Sequence, residues 1–275
     1  MKNEELSEYL EFAKDLARQA GDIMERYFQA EDIGTVMKED ATPLTVADTA
    51  INDLVIEEVK KRYPEHGVIG EEASYMSERD FVWVVDPIDG TIPFSLAMPL
   101  STFSLGLVSR SDGQPLAGVI FDPFLKHLYW SAQGVGSFLN ETKINTSNQE
   151  TLDRSYISII GTFGGDTKTP GIKLQTGAYI RALENKGSKH LSLLSQAYSA
   201  ARVASGELVG SIFAYGSPWD SAAAALIVSE AGGVVTDLNG KVRRYDKFEN
   251  GCLLSANQSI HKQLLEVVRN AHNRH

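Results

Sequence analysis

The chain has 275 residues, 43% of them hydrophobic, and a formal net charge of −10 at pH 7. This length suffices for a large core in one compact unit or two closely packed halves, and the acidic balance argues against a nucleic-acid partner. Because the sequence has neither a long apolar run nor a signal-peptide core, we expect a cytoplasmic protein with no membrane partner.

The first part of the chain predicts two helices followed by a series of strands. Apolar residues recur at helical spacing between Leu6 and Tyr27, and a second helix is expected over residues 45–62, ending before Pro64. The apolar runs that follow are short and are separated by turn residues. They predict strands near residues 68–70, 81–85, 102–109, 116–121, 127–130 and 137–139.

A polar stretch over residues 145–154 predicts a seam between two halves, residues 1–150 and 151–275, of one compact structural unit. The second half alternates between apolar runs of strand length and longer helical patterns, which is typical of layered helices and sheets. Its strands are expected at 156–160, 208–214, 234–237 and 252–255, and its helices at 171–185, 191–204, 221–231 and from 259 onward. The single cysteine, Cys252, excludes a disulfide framework, and we interpret it as a small core residue.

The most informative run is DPIDGT at residues 86–91, directly after the apolar strand 81–85. Asp86 and Asp89 offer the carboxylate oxygens that Mg²⁺ prefers. The backbone N–H groups that follow Gly90, at the start of a helix, are suitable donors for a phosphate group. An acidic turn is the alternative, since Asp, Pro and Gly are turn formers.

Two distant segments favour the functional interpretation. Glu71 and Glu72 follow another short apolar run, and Asp220 lies at the start of the apolar helix predicted over residues 221–231. Each carboxylate adjoins a segment too apolar to be exposed. Burying several carboxylates together without a cation would be costly or would force their protonation, so a bound divalent metal is expected.

In this order and spacing, the motifs resemble those of the inositol monophosphatase family. They are GEE at 70–72, DPIDGT at 86–91 and WDSAA at 219–223 leading into EAGG at 230–233, with KED at 38–40 and PLTVAD at 43–48 upstream. The resemblance covers about residues 6–268 and implies the α/β (α+β) class, as a five-layer αβαβα sugar-phosphatase sandwich. It also implies a Mg²⁺-dependent phosphomonoesterase of a lithium-sensitive superfamily, commonly homodimeric, that acts on a small phosphorylated metabolite by direct attack of a metal-activated water.

The resemblance assigns two Mg²⁺ ions, or three, to one set of oxygen ligands: Glu71, Asp86, the backbone carbonyl of Ile88, Asp89 and Asp220. Glu71, Asp86 and Ile88 are expected at the first ion. Asp86 is expected to bridge to the second ion, which Asp89 and Asp220 complete. Such a pair can stabilise both the attacking and the leaving oxygen of an in-line displacement.

Further roles follow from the same resemblance. Thr91 and Glu72 are the candidates for orienting and deprotonating the attacking water, and the N–H groups of Gly90 and Thr91 for binding the phosphate. Asp48 is a candidate for a weaker third metal site or its water. Lys38 is either an exposed surface lysine or part of a loop near that site.

The substrate is less well defined because the sequence departs from the family pattern. Pro93 stands where family members commonly have Asn, and Phe213 stands where inositol-specific members have a ring-binding Glu. Phe213 is therefore expected to form an apolar pocket wall, with Tyr215 beside it; alternatively it faces the core, and Tyr215 or Ser217 recognises the substrate. Candidate substrates are inositol 1-phosphate, histidinol phosphate, 3′-phosphoadenosine-5′-phosphate and fructose 1,6-bisphosphate.

Two other protein classes share part of this pattern. A haloacid-dehalogenase-type phosphatase also has DGT in its signature, but its two aspartates are two residues apart, whereas Asp86 and Asp89 are three apart. Positions i and i+2 of a strand share one side, so this spacing argues against Asp86 as a nucleophile. The other rival is a non-catalytic regulatory or binding subunit, which has no need of the full set of metal carboxylates.

Overall fold

The computed structural model describes residues 3–28, 36–37, 43–161, 172–249 and 251–272. The helices in these ranges are α1 (Asn3–Tyr27), α2 (Val46–Arg62), α3 (Thr91–Ser95), α4 (Ile172–Glu184), α5 (Gln196–Ala204), α6 (Pro218–Glu230) and α7 (Gln258–His272). The strands are β1 (Val36–Met37), β2 (Pro43–Leu44), β3 (Gly67–Gly70), β4 (Phe81–Asp89), β5 (Thr102–Ser109), β6 (Gln114–Asp122), β7 (His127–Ala132), β8 (Gly136–Leu139), β9 (Thr142–Ile144), β10 (Tyr156–Ile160), β11 (Lys189–Leu191), β12 (Gly210–Phe213), β13 (Val234–Thr236) and β14 (Cys252–Ser255).

The strands form two large sheets. The first has the order β3-β4-β5-β6-β7-β8-β9, and only its β3–β4 pair is parallel within the described chain. The second has the order β11-β10-β12-β14-β13, with β10 parallel to both of its neighbours. β1 and β2 form a separate short ladder.

Helices cover the sheets in alternating layers. α1 and α2 pack on one face of the first sheet, α5 and α6 lie between the two sheets, and α4 and α7 cover the other face of the second sheet. This arrangement is the five-layer αβαβα sandwich, so the predicted fold class is confirmed. None of the described helices has the combination of length and apolarity needed to cross a membrane.

β4 shows why the sequence before Asp86 is continuously apolar. Its side chains alternate, with Trp83 and Val85 packing toward α1 and α2 and with Val82 and Val84 packing toward α6. A strand covered on both faces needs apolar residues at every position. The strand is longer than predicted, because pairing with β5 continues through Asp89 with a register shift after Asp86.

The segment between β10 and α5 differs most from the sequence prediction. A helix was expected over residues 191–204, but residues Lys189–Leu191 form β11, and α5 begins only at Gln196. Leu194 has a φ of 59°, a left-handed conformation that interrupts a helix, and Ser195 accepts a hydrogen bond from the Tyr198 N–H as the N-cap. The predicted start of this helix was therefore wrong by five residues.

The two halves of the chain make direct hydrogen bonds. The Ser137 hydroxyl donates to the Ile227 carbonyl at 2.6 Å, and the Glu230 carboxylate accepts from the N–H groups of Gly134 and Gly136 at 2.7 and 2.9 Å. α6, from the second half, thus packs on the sheet of the first half. The boundary between residues 150 and 151 stays a prediction, while Cys252 is buried in the core as expected.

Candidate metal centre

Three carboxylates from two distant segments meet at one edge of the first sheet. Asp86 and Asp89 lie at the end of β4, and Asp220 lies in the first turn of α6. One oxygen from each of them lies within 4.8 Å of the others. Their exposures are only 2%, 5% and 7%, so the three charges share a poorly hydrated site. The structure therefore brings together all three residues predicted to hold the second metal.

Small residues set the position of Asp220. α6 crosses the first sheet at Gly106 and Gly118. A Cβ added at Gly106 would lie 3.1 Å from the Ala223 nitrogen, and one added at Gly118 would lie 2.9 Å from the Ala223 Cα. Glycines on the sheet and alanines on the helix let the two backbones approach closely. The helix begins at Pro218, three residues earlier than predicted, in agreement with the preference for proline in a first turn. Asp220 thereby faces the end of β4.

Asp89 is held by the N-terminus of α5. Its carboxylate accepts hydrogen bonds from the Ser195 hydroxyl, from the Gln196 N–H at 3.0 Å and from the Ala197 N–H at 2.6 Å. Partial positive charge at a helix N-terminus favours a carboxylate there. Sequence reasoning missed Ser195 and Gln196, because it started the helix at residue 191 and so placed both in the helix interior.

The side chain of Gln196 reaches a second carboxylate. Its Nε2 donates to Asp220 Oδ2 at 3.1 Å, and the side chain lies beside the Tyr215 phenol. Burial raises the pKa of Tyr215, and the negative charge of Asp220 raises it further. Tyr215 therefore stays protonated beside the carboxylates.

The electrostatics of the cluster call for a cation. Burial raises the pKa of Asp86 well above its usual value, and the charges of Glu71, Asp89 and Asp220 add to this effect. Burial likewise raises the pKa of Asp220, and it raises that of Asp89 to about 6 although the hydrogen bonds from α5 oppose the shift. Asp86 Oδ1 is buried without a hydrogen-bond partner among the described residues. This all-oxygen set, with one orphaned buried acceptor, fits a hard divalent metal.

Glu71 and Glu72 lie in the turn after β3, half-buried, beside the aspartate cluster. β3 pairs with β4 so that Gly70 is opposite Val85, and the Glu71 N–H donates to the Val85 carbonyl at 3.2 Å. The charge of Glu71 contributes to the raised pKa of Asp86 and of Asp220. The parallel pairing of two strands thus explains why GEE and DPIDGT, distant in the sequence, adjoin one site.

Asp48 lies near the same acidic residues but also has a local structural role. In the first turn of α2 its Oδ2 accepts from the Thr45 N–H at 2.8 Å and the Thr45 hydroxyl at 2.5 Å, as part of a capping box. Burial raises its pKa to about 7, and the charges of Glu71 and Glu72 contribute. Asp48 Oδ1 remains a buried acceptor without a partner among the described residues.

The DGT turn leads from β4 into α3. Gly90 adopts a φ of 90° at the start of α3, a conformation that favours glycine. The Thr91 hydroxyl donates to the Ile88 carbonyl at 3.1 Å, so the hydroxyl and a predicted metal ligand are neighbours. Pro93 is buried within α3, where its carbonyl accepts from the Met98 N–H at 2.8 Å.

Phe213 is a core residue in the structure. Its exposure is 0%, and it packs between the two sheets with Ile160, Ala200 and Cys252. Its burial agrees with the alternative that Phe213 faces the core, and its role as an apolar pocket wall stays a prediction. The physical reason for the burial is that β12 lies in the interior of its sheet and is buried along its whole length. Lys38 lies outside the described residues.

Comparisons with known proteins cover nearly the whole chain. The sequence profile of the inositol monophosphatase family matches residues 5–273. Inositol monophosphatase 1 of Solanum lycopersicum is 35% identical over 249 residues, which cover 87% of this chain and 88% of the relative. The protein named Nus factor SuhB of Pasteurella multocida is 30% identical over 263 residues, which cover 94% of this chain and 95% of that protein.

A solved structure has a similar fold. The IMPase of Thermotoga maritima superposes with a TM-score of 0.86 at 28% sequence identity, covering 97% of this chain and 99% of that one. The similarity therefore includes both sheets and the segments that carry the acidic cluster.

Proposed function

Because this chain belongs to the inositol monophosphatase family and is a phosphoric monoester hydrolase, we propose that it is a Mg²⁺-dependent phosphatase that hydrolyses a small phosphorylated metabolite by direct attack of water. The observation that carries the proposal is the buried cluster of Asp86, Asp89 and Asp220, with one oxygen of each within 4.8 Å of the others. The net charge of −10 would repel an anionic substrate. Bound cations would reverse the sign of the charge at the site.

Two or three Mg²⁺ ions would be held by oxygen ligands only: Glu71, Asp86, the carbonyl of Ile88, Asp89 and Asp220. When bound, such ions supply Lewis-acid stabilisation of the charge that develops on the phosphoryl oxygens. Asp86 would contribute to both sites, and in support of this its buried carboxylate is close enough to Glu71, Asp89 and Asp220 for their charges to raise its pKa. Asp48 would support a weaker third ion or its water.

The remaining residues act on the substrate and the water. The N–H groups of Gly90 and Thr91 would donate to the phosphate, since the left-handed conformation of Gly90 starts α3 at this point. Glu72 and the Thr91 hydroxyl would orient the attacking water, and Glu72 would accept its proton. The hydrogen bond from Thr91 to the Ile88 carbonyl holds this hydroxyl beside the predicted metal ligands.

We expect phosphate release to depend completely on Mg²⁺ and to be inhibited by excess Ca²⁺. The ligand set has no Cys or His, and Ca²⁺ takes more ligands at longer distances than a site for Mg²⁺ supplies. The measurement is release of inorganic phosphate from a panel of phosphorylated metabolites, with Mg²⁺, with EDTA and with added Ca²⁺. Full activity in EDTA would refute the proposal.

We also expect hydrolysis without a phosphoenzyme. In a regular strand, residues three apart face opposite sides, but the register shift after Asp86 brings both carboxylates into the acidic cluster, where we propose that they serve as metal ligands rather than as nucleophiles. A single-turnover reaction in ¹⁸O-labelled water, followed by mass analysis of peptides, provides the test. Label in the Asp86 carboxylate would support covalent catalysis instead.

The substrate is proposed to be a small phosphate monoester, without strong selectivity for inositol 1-phosphate. A site that lacks the ring-binding glutamate loses an acceptor for sugar hydroxyls. Since Phe213 is completely buried, Tyr215 is the better candidate for contact with the substrate. In the same panel, a kcat/KM for inositol 1-phosphate a hundredfold above every other phosphate would contradict this proposal.

A regulatory role is the second candidate, favoured by the 30% identity to a protein named as a Nus factor. A non-catalytic binding subunit would need no metal carboxylates, so Mg²⁺-dependent phosphate release would separate the two candidates. Homodimer formation and a cytoplasmic location stay predictions.

A further inference from the structure

We propose that Gln196 is a positioning residue for the second metal, and that it acts by tying together two of the predicted ligands, Asp89 and Asp220. This inference rests on the proposed function, because it assumes that these carboxylates bind Mg²⁺. No motif of the sequence pointed to Gln196, and it follows from hydrogen bonds that form only in the folded chain.

One residue holds both carboxylates. The backbone N–H of Gln196 donates to Asp89 Oδ1 at 3.0 Å, while its side-chain Nε2 donates to Asp220 Oδ2 at 3.1 Å. Asp89 comes from β4 of the first sheet, and Asp220 comes from α6. Gln196 therefore connects the three elements β4, α5 and α6 at the point where their charges meet.

The side chain of Gln196 has little freedom to adopt another orientation. Its exposure is 1%, and the residue lies in the first turn of α5 directly after the N-cap Ser195. The Tyr215 phenol lies beside the same amide. The hydrogen bond from this buried amide restricts the rotation of the Asp220 carboxylate and would keep its other oxygen available to hold a metal ion.

Space filling alone does not account for a glutamine here. Its Oε1 is buried without a hydrogen-bond partner among the described residues, which costs stability. A methionine would fill a similar volume without that cost. The contribution of the amide therefore lies in the bond that it donates to Asp220.

The test compares Gln196→Met, which keeps the volume and loses the amide, with Gln263→Met as the matched control. Gln263 also makes amide hydrogen bonds, to the Glu150 and Ser259 carbonyls at 2.7 and 3.1 Å, but it lies on α7. Mg²⁺ affinity is measured by calorimetry and by the Mg²⁺-dependent rise in Tm, and kcat and KM are measured separately. Removing a group that orients a metal ligand typically weakens metal binding about 10- to 100-fold.

We expect Gln196→Met to weaken Mg²⁺ binding about tenfold or more and to lower kcat, with KM for the substrate changed less than about threefold. The control should retain wild-type values. Wild-type Mg²⁺ affinity and kcat in Gln196→Met would overturn the inference, and Gln196→Ala gives the same comparison should the methionine variant fail to fold. If the wild-type protein itself shows no Mg²⁺ response, the proposed function fails and this inference fails with it.

Discussion

Asp220→Asn is expected to lower kcat by about 10³-fold or more while leaving the fold intact, and Asp89→Asn is expected to lower it similarly. Each substitution removes a charged oxygen from the predicted second metal. Metal stabilisation of the charge that develops in the transition state contributes several kcal/mol to lowering the barrier. The measurement is steady-state phosphate release at saturating Mg²⁺, with circular dichroism as the check on folding.

The two variants should differ in stability without metal. Asp220→Asn relieves repulsion within the acidic cluster, so its metal-free Tm should rise. Asp89 accepts three hydrogen bonds from α5, and an asparagine would direct its NH₂ group at one of these donors. Asp89→Asn should therefore lower the metal-free stability by about 1–3 kcal/mol. The matched control is Asp53→Asn, at an exposed aspartate of α2. Near-wild-type turnover in Asp220→Asn would contradict the assignment of Asp220 as a metal ligand.

The second large effect concerns pH. In the metal-free protein we expect stability to fall as the pH rises from about 4 to about 7, the opposite of the usual trend for carboxylates. The pKa of Asp48 is raised to about 7 and that of Asp89 to about 6, both from 3.8, and those of Asp86 and Asp220 are also raised. The folded state therefore binds more protons than the unfolded state in this window, and each deprotonation there favours unfolding.

The magnitude is large for a single group. A shift of one pKa unit corresponds to about 1.4 kcal/mol. The shift of Asp48 alone would therefore lower the free energy of unfolding by on the order of 4 kcal/mol between a pH below its unfolded-state pKa and a pH above its folded-state pKa. Two buried histidines, His66 and His261, have lowered pKa values and oppose the trend as the pH falls below about 6.5.

Comparing the wild type with a variant separates the contribution of the carboxylates to the pH dependence of stability from that of the histidines. Tm is measured from pH 4 to pH 8 in EDTA and in excess Mg²⁺, for the wild type and for Asp220→Asn. The wild type should lose Tm toward pH 8 in EDTA, the variant should lose less, and Mg²⁺ should stabilise the wild type most at high pH. The same pH dependence in both proteins without metal would show that the cluster does not control stability.

The sequence alone was sufficient to predict the layered α/β architecture and the acidic residues of the site. The strands β10 and β14 have the predicted bounds, because short apolar runs between polar or glycine-containing turns leave few alternatives. Asp86, Asp89 and Asp220 were identifiable because each adjoins a run too apolar for the surface. A charged group at such a position needs a partner, and this requirement is visible before any fold is known.

Only the tertiary structure decided which groups hold these carboxylates and which residues face the site. Ser195 and Gln196 bind Asp89 from positions more than one hundred residues later in the sequence. Gln196 also binds Asp220, which is 24 residues further along the chain and beyond β12 in the sequence. Hydrogen bonds between distant segments leave no local periodicity in a sequence. Phe213 gave no orientation signal either, since a short strand covered on both faces lacks the alternation that separates core from pocket. The ligand types were thus determined locally, whereas their orientation depends on how α5 and α6 pack between the two sheets.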